Sequence, residues 1–142
     1  MKTVRQLLQM KGGQIYEIAP DARVFDALTL MAEREVGALV VTDGGRLAGI
    51  ISERDYARKV ILHGKSSHEM QVRDIMTAKV IAVHPGQTVE ECMALMTGKR
   101  IRHLPVIEGD RLIGVVSIGD LVKEVIAEQE QTIKQLESYI HS

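Results

Sequence analysis

Apolar residues follow two different periods along this chain, and the same succession of periods occurs twice. In the first half an apolar run over 15–18 predicts a strand, then come Pro20 and a turn. Val24, Ala27, Leu28, Leu30 and Met31 follow at helical spacing, which predicts an amphipathic helix over 23–34. Two β-rich runs come next, Ala38-Leu39-Val40-Val41 and Leu47-Ala48-Gly49-Ile50-Ile51, joined through Asp43-Gly44-Gly45. Glycine in that connector suits the positive φ of a tight hairpin turn. The second half predicts a strand over 80–83, then Pro85, then a helix over 89–99 carrying Met93, Leu95 and Met96. Its β-rich runs are Leu104-Pro105-Val106-Ile107 and Leu112-Ile113-Gly114-Val115-Val116, around Glu108-Gly109-Asp110. A helix is expected to start at Ser52 and again at Ser117, and a short helical stretch precedes each first strand.

The recurrence is a duplication. Residues 20–56 align with 85–121 at a constant offset of 65, without a gap. Matching positions include Pro20/Pro85, Val24/Val89, Met31/Met96, Leu39/Leu104, Gly44/Gly109, Arg46/Arg111, Gly49/Gly114, Ser52/Ser117 and Asp55/Asp120. Upstream, Val4-Arg5-Gln6-Leu7-Leu8 answers Val72-Arg73-Asp74-Ile75-Met76 at an offset of 68. Shared glycines, a serine and an aspartate in fixed order are harder to obtain by chance than apolar coincidences. Each copy reads β-α-β-β-α and is too small to bury a large core alone, so two copies packed together are expected. The predicted fold is α+β, with a first repeat over 1–62, a polar linker over 63–71, a second repeat over 72–126 and a helical extension over 127–142.

Composition narrows the function. Lys and Arg total 18 against 19 for Asp and Glu, a net charge of -1, which argues against neutralising a nucleic-acid backbone. Aromatic residues are 3% of the chain, too few for base-stacking platforms. No apolar run has the length of a membrane span, and 1–14 lacks the apolar centre of a signal peptide. Cys92 is the single cysteine and cannot form an internal disulfide; its alignment with Ala27 reads as packing. A cytoplasmic protein is the simplest expectation. His63, His68, His84, His103 and His141 show no metal spacing, and no residue set supplies a nucleophile with its base. Neither a catalytic role nor a required metal is expected.

Ser52-x-x-Asp55 and Ser117-x-x-Asp120 stand where a strand should end and a helix begin. One reading is a capping box, in which the serine oxygen accepts a backbone N–H and the acid sits in the first turn. The other is ligand contact, because a helix start offers N–H groups to phosphate and a carboxylate offers two acceptors to the paired hydroxyls of ribose. The two roles are compatible. Arg102 and His103 read either as a solvated approach to a strand or as partners for phosphate oxygens. Tyr16 reads as a base-stacking ring or as half-buried core.

At these residues the chain resembles a tandem pair of CBS domains, the regulatory unit called a Bateman module. The resemblance rests on Asp74-Ile75-Met76-Thr77, on Arg102-His103-Leu104-Pro105-Val106, and on Gly-x-x-Ser-x-x-Asp at Gly49–Asp55 and Gly114–Asp120. It covers about 4–125, and order, spacing and repetition carry it. The resemblance implies two repeats related by a pseudo-twofold axis, with clefts that take adenosine-containing ligands: AMP, ADP, ATP, S-adenosylmethionine or NAD(H). It also implies a homodimer. The first expected cleft combines Ser52, Glu53, Arg54 and Asp55 with Val80, Ile81, Arg102 and His103, followed by Leu104 and Pro105. The second combines Ser117, Ile118, Gly119 and Asp120 with Ile15, Tyr16, Gly37 and Ala38. Arg54 makes the first cleft the more basic, which assigns it the more phosphorylated ligand.

The tail over 122–140 has Val122, Val125, Ile126, Ile133, Leu136, Tyr139 and Ile140 at helical spacing. It reads as a helix packed on its own domain or as a dimer contact. The leading expectation is a nucleotide sensor acting on a regulated protein partner that the sequence does not name. The alternative is a ligand-independent dimerisation or interaction scaffold.

Overall fold

The computed structural model describes residues 2–141. In chain order the elements are α1 (Val4–Lys11), β1 (Glu17–Ile18), α2 (Val24–Arg34), β2 (Ala38–Asp43), β3 (Arg46–Ser52) and α3 (Glu53–Lys59). A 3₁₀ turn at Ile61–His63 leads to α4 (Val72–Ile75), α5 (Val89–Lys99), β4 (His103–Glu108), β5 (Arg111–Ser117) and α6 (Ile118–His141). The fold is α+β and the duplicated order is present. The compact units do not coincide with the sequence repeats. One unit, here the first-repeat unit, is Gln14–Ile81 with Asp110–Leu112. The other, the second-repeat unit, takes the chain up to Gly13, Ala82–Gly109 and the chain from Ile113 onward. Thus α1 joins the second repeat, and α4 stays with the first.

In the first-repeat unit β1 runs parallel to β2, and β2 pairs antiparallel with β3 in the register Ala38↔Ser52 to Asp43↔Arg46. Gly44 and Gly45 close this hairpin at φ 59° and 83°, the left-handed pair that a two-residue turn requires. The core holds Val24, Ala27 and Met31 of α2, Leu39, Val41 and Ile51 of the hairpin, and Val60, Val72 and Ile75. Backbone bonds seat α4: Val72 donates to the Ala22 carbonyl at 2.8 Å and Arg73 to that of Pro20 at 2.9 Å. Met76 and Thr77 then lie on β3. Thr77 and Ile50 exchange N–H···O bonds of 2.8 and 3.0 Å. A Cβ at Gly49 would stand 2.8 Å from both Met76 Sδ and the Thr77 carbonyl oxygen. The motif glycine and the Asp74–Thr77 segment are therefore two halves of one contact.

The second-repeat unit repeats the scheme with α1 in the place of α4. Val4 donates to Gln87 at 2.8 Å and Arg5 to Pro85 at 3.0 Å, the same bonds displaced along the duplication. A Cβ at Gly114 would meet Leu8 Cδ2 at 2.6 Å. Lys2 pairs at 2.8 Å with Glu124, which is only 3% exposed. The pairing matches the rule that a buried charge needs a partner.

Two expected strands are shortened. The strand over 15–18 contracts to Glu17–Ile18, and that over 80–83 to a single bridge of Val83 with Val106. In the first repeat Val40 donates its N–H to Tyr16 O at 3.2 Å. The corresponding residue of the second repeat is Pro105, which has no N–H to give. Val80 and Ile81 accordingly lie outside any strand, half-buried. The tail continues the helix that starts at Ile118, with no break at 126/127. At about 1.5 Å per residue it is about 36 Å long. Its Leu121 is buried, whereas Val122, Ile126, Ile133, Leu136 and Ile140 are exposed.

Candidate functional site: two strand–helix junctions

Both Gly-x-x-Ser-x-x-Asp segments fold into the same local structure. At the first junction Ser52 N donates to Asp55 Oδ2 at 2.9 Å, and Asp55 N donates to Ser52 Oγ at 3.2 Å. At the second, Ser117 N donates to Asp120 Oδ2 at 2.8 Å, and Asp120 N to Ser117 Oγ at 3.2 Å. These are reciprocal capping boxes, so the capping reading holds in both copies. Each box turns its aspartate back over the start of the helix and leaves it half-buried.

A second backbone bond ties each junction to the segment that opens the preceding strand of its own repeat. Glu53 N donates to the Gly37 carbonyl at 3.1 Å, and Ile118 N donates to the Arg102 carbonyl at 2.9 Å. The structure thus groups Ser52, Glu53 and Asp55 with Gly37 and Ala38, and Ser117, Ile118 and Asp120 with Arg102 and His103. The expected grouping had set Arg102 and His103 with Asp55, and Gly37 and Ala38 with Asp120. Within the first repeat the hairpin register, Ala38 opposite Ser52, sets the strand start beside its own Ser–Asp box. Arg54 is exposed on α3, and Gly119 is exposed at the start of α6. Leu104 and Pro105 are buried in the second-repeat unit, where they pack.

Tyr16 is partly buried against the first-repeat core. Its hydroxyl donates to Gln14 Oε1 at 2.7 Å, and the Arg34 guanidinium stands 5.5 Å from its ring centroid. Tyr16 thus packs on the edge of the core with a cation over its ring. Ile15 beside it is half-buried.

Electrostatics separate the junctions. Asp55 is approached by Lys59 of its own helix, at 3.3 Å from Oδ1, and Lys59 also donates to the Ile75 carbonyl at 2.8 Å. Asp120 is bound by Lys11, the last residue of α1, at 2.6 Å from Oδ2. The same ammonium donates to the Val115 carbonyl at 2.8 Å. Burial alone would raise the Asp120 carboxyl, but the hydrogen bonds from Lys11 and Ser117 and the Lys11 charge outweigh it and hold the group below its ordinary range. His103 is pushed below its ordinary 6.5, chiefly by burial, with Lys11 and Arg102 adding to the effect and Asp120 opposing it. It stands neutral near pH 7, able to accept a proton if an anion arrives.

Neither lysine was singled out by motif. Yet the offset of 68 that lays Val4 on Val72 also lays Lys11 on Lys79, and that coincidence was available as a signal. Cys92 is buried and free, its thiol pushed up to about 11 by burial and then by Glu91, which makes it an inert packing group. Among the described residues no group of three His, Cys, Asp or Glu side chains could hold a metal ion. Among the same residues no helix is long and apolar enough to cross a membrane.

The profile of the CBS domain matches twice, over residues 13–62 and 72–127. The chain belongs to the CBS-domain family. It is a tandem CBS pair, and such proteins are generally regulatory. The CBS domain-containing protein CBSX3, mitochondrial, of Arabidopsis thaliana is 44% identical over 147 residues, covering 97% of this chain and 71% of the relative. A solved protein with CBS domains from Burkholderia ambifaria MC40-6 is 55% identical, with a TM-score of 0.87, covering 90% of this chain and 96% of its own. The CBS domain pair of protein MJ0100, solved with 5′-methylthioadenosine and S-adenosyl-L-methionine, has a TM-score of 0.80 at 22% identity. It covers 90% of this chain and 98% of its own, and shares the fold.

Proposed function

We propose that this CBS pair is a sensor of adenosyl ligands (AMP, ADP, ATP or NAD(H)) that acts on a regulated protein partner through a change in shape or pairing. The observation that carries the reading is the second junction. There Asp120, placed by its capping box, is gathered with Lys11, Arg102 and His103. A carboxylate suits a ribose diol, and two cations with a neutral imidazole suit phosphate oxygens. In this reading the phosphorylated end of the ligand lies at this junction, beside Arg102 and His103. The first junction, with Ser52, Asp55, Gly37 and Ala38, offers a carboxylate beside small residues and suits a flat, less charged group. Ile15, Tyr16, Val80, Ile81, Glu53, Ile118 and Gly119 remain lining candidates, and no step in this reading needs a metal.

A differential binding free energy between two states is what converts occupancy into a signal. Thermal unfolding of nucleotide-stripped protein tests the reading with AMP, ADP, ATP, NAD⁺, NADH and S-adenosylmethionine in turn. A ligand at about 100 times its Kd adds roughly 2.7 kcal/mol per site. A selective rise in Tm that Asp120→Ala removes supports the sensor. No shift with any compound overturns it and leaves the scaffold reading. That second reading has its own observation, the exposed apolar stripe Ile126, Ile133, Leu136 and Ile140 on α6. Spacings of 7, 3 and 4 residues place these side chains along the seam of a coiled coil with a second copy. We infer a homodimer through this seam, and Ile133→Glu with Leu136→Glu should give monomers on sedimentation. A reducing compartment such as the cytoplasm suits the free thiol of Cys92.

A further inference from the structure

The Lys11–Asp120 pair has a property that its first-repeat counterpart lacks. Lys59 is four residues from Asp55 on one helix, so its backbone moves with that of the aspartate. Lys11 reaches Asp120 from another helix, 109 residues away in sequence. It is the last residue of α1, and the chain beyond it turns at Gly12, with φ 91°, into Gly13. A Cβ at either glycine would meet nothing within 4 Å. With a third of its surface exposed, the ammonium can leave Asp120 without first unfolding a core.

We infer that Lys11 is a tethered competitor for the ligand at the second junction, and that it sets the preference for phosphorylated over uncharged adenosyl compounds. The inference rests on the adenosyl-binding reading above and goes beyond it. A ribose diol binding Asp120 must take carboxylate capacity that Lys11 now uses at 2.6 Å. For an uncharged nucleoside that displacement is a pure loss, because the released ammonium returns to water. For a phosphorylated ligand the ammonium, on a long flexible stem, exchanges the carboxylate for phosphate oxygens and regains an ionic partner. One cation thus opposes the uncharged ligand and rewards the charged one, and specificity is the difference between the two. Release of Lys11 also frees the Val115 carbonyl. Occupancy of Asp120 is thereby linked to the C-terminal end of α1.

The test is isothermal titration of adenosine and of ATP into the full chain carrying Asp55→Ala, which leaves the second junction as the site under measurement. Lys11→Met should tighten adenosine about fivefold and weaken ATP by a similar factor, as expected for loss of one exposed ion pair. Lys11→Arg should keep the parental preference, and Lys79→Met, at the equivalent place of the other copy, should leave it unchanged. An ATP-to-adenosine preference unaltered by Lys11→Met, or equal losses for both ligands, overturns the inference while the sensor reading stands. If neither compound binds the Asp55→Ala protein or the unaltered chain, the adenosyl reading itself fails and the competitor role falls with it.

Discussion

The two strand–helix junctions have the same serine and aspartate, the same capping box and nearly the same hydrogen-bond lengths, yet they carry different charges. At the first, Gly37 and Ala38 stand beside the box at the start of β2; at the second, the corresponding residues are Arg102 and His103. The cation on Asp55 comes from one helical turn away, and that on Asp120 from α1. Where the first helix has Lys59, the second has Glu124, four residues after Asp120 and held by Lys2. A duplicated backbone has thus kept its hydrogen-bonded frame and diverged in the ions hung on it. Local bonds preserve geometry, and the side chains around them are free to specialise.

The comparison is broken most severely through the motif glycines. Gly49→Ala drives a Cβ against the backbone carbonyl of Thr77, whereas the nearest atoms to a Cβ at Gly114 belong to the Leu8 side chain. Overpacking against fixed backbone should cost about 3 kcal/mol, and against a side chain that can change rotamer about 1 kcal/mol. Urea denaturation of both variants checks the difference; equal losses would mean the two contacts are equally rigid.

The boxes themselves should behave alike. Ser52→Ala and Ser117→Ala each remove one N-cap acceptor at 3.2 Å and should each destabilise by about 1 kcal/mol. A large disparity in urea midpoints would show that one serine holds more than its cap.

The cations should differ. Lys11→Met removes a 2.6 Å pair between groups 32% and 22% exposed, expected to cost up to about 1 kcal/mol, less in high salt. Lys59→Met removes an i,i+4 pair at 3.3 Å, expected to cost about 0.3–0.5 kcal/mol. Denaturation at low and high salt separates the two.

The smallest effect is a pH dependence confined to one junction. His103 is held below 6.5 in the folded chain, so the unfolded chain binds more protons as pH falls through that value. Stability should therefore rise with pH across the window from the lowered folded value to 6.5. Replacing His103 with Ala, the residue found at the equivalent position 38, should flatten that part of the profile. Melting curves from about pH 5 to about pH 7.5 would show whether the slope belongs to this histidine. Conversely, an anion at the junction should raise the imidazole, so ATP should bind with proton uptake and more tightly near pH 6 than near pH 7.5.

Much of this protein was legible in its residues. The period-two and helical runs located both hairpins and the helices at 24–34 and 89–99, because half-buried elements write their own periodicity. Ser-x-x-Asp after a strand fixed the capping boxes, whose partners are three residues apart. Even the lost rung at the second repeat's first strand was present as Pro105, a residue without an N–H. What the sequence left undecided lies in pairs far apart along the chain. That α1 joins the second repeat follows from bonds of Val4 and Arg5 to Gln87 and Pro85, and no local propensity announces them. The placement of Arg102 beside the second box rests on the bond from Ile118 N to its carbonyl, and the choice of Lys11 over other lysines depends on where α1 docks. Local chemistry determined each box, and long-range packing decided which charges surround it.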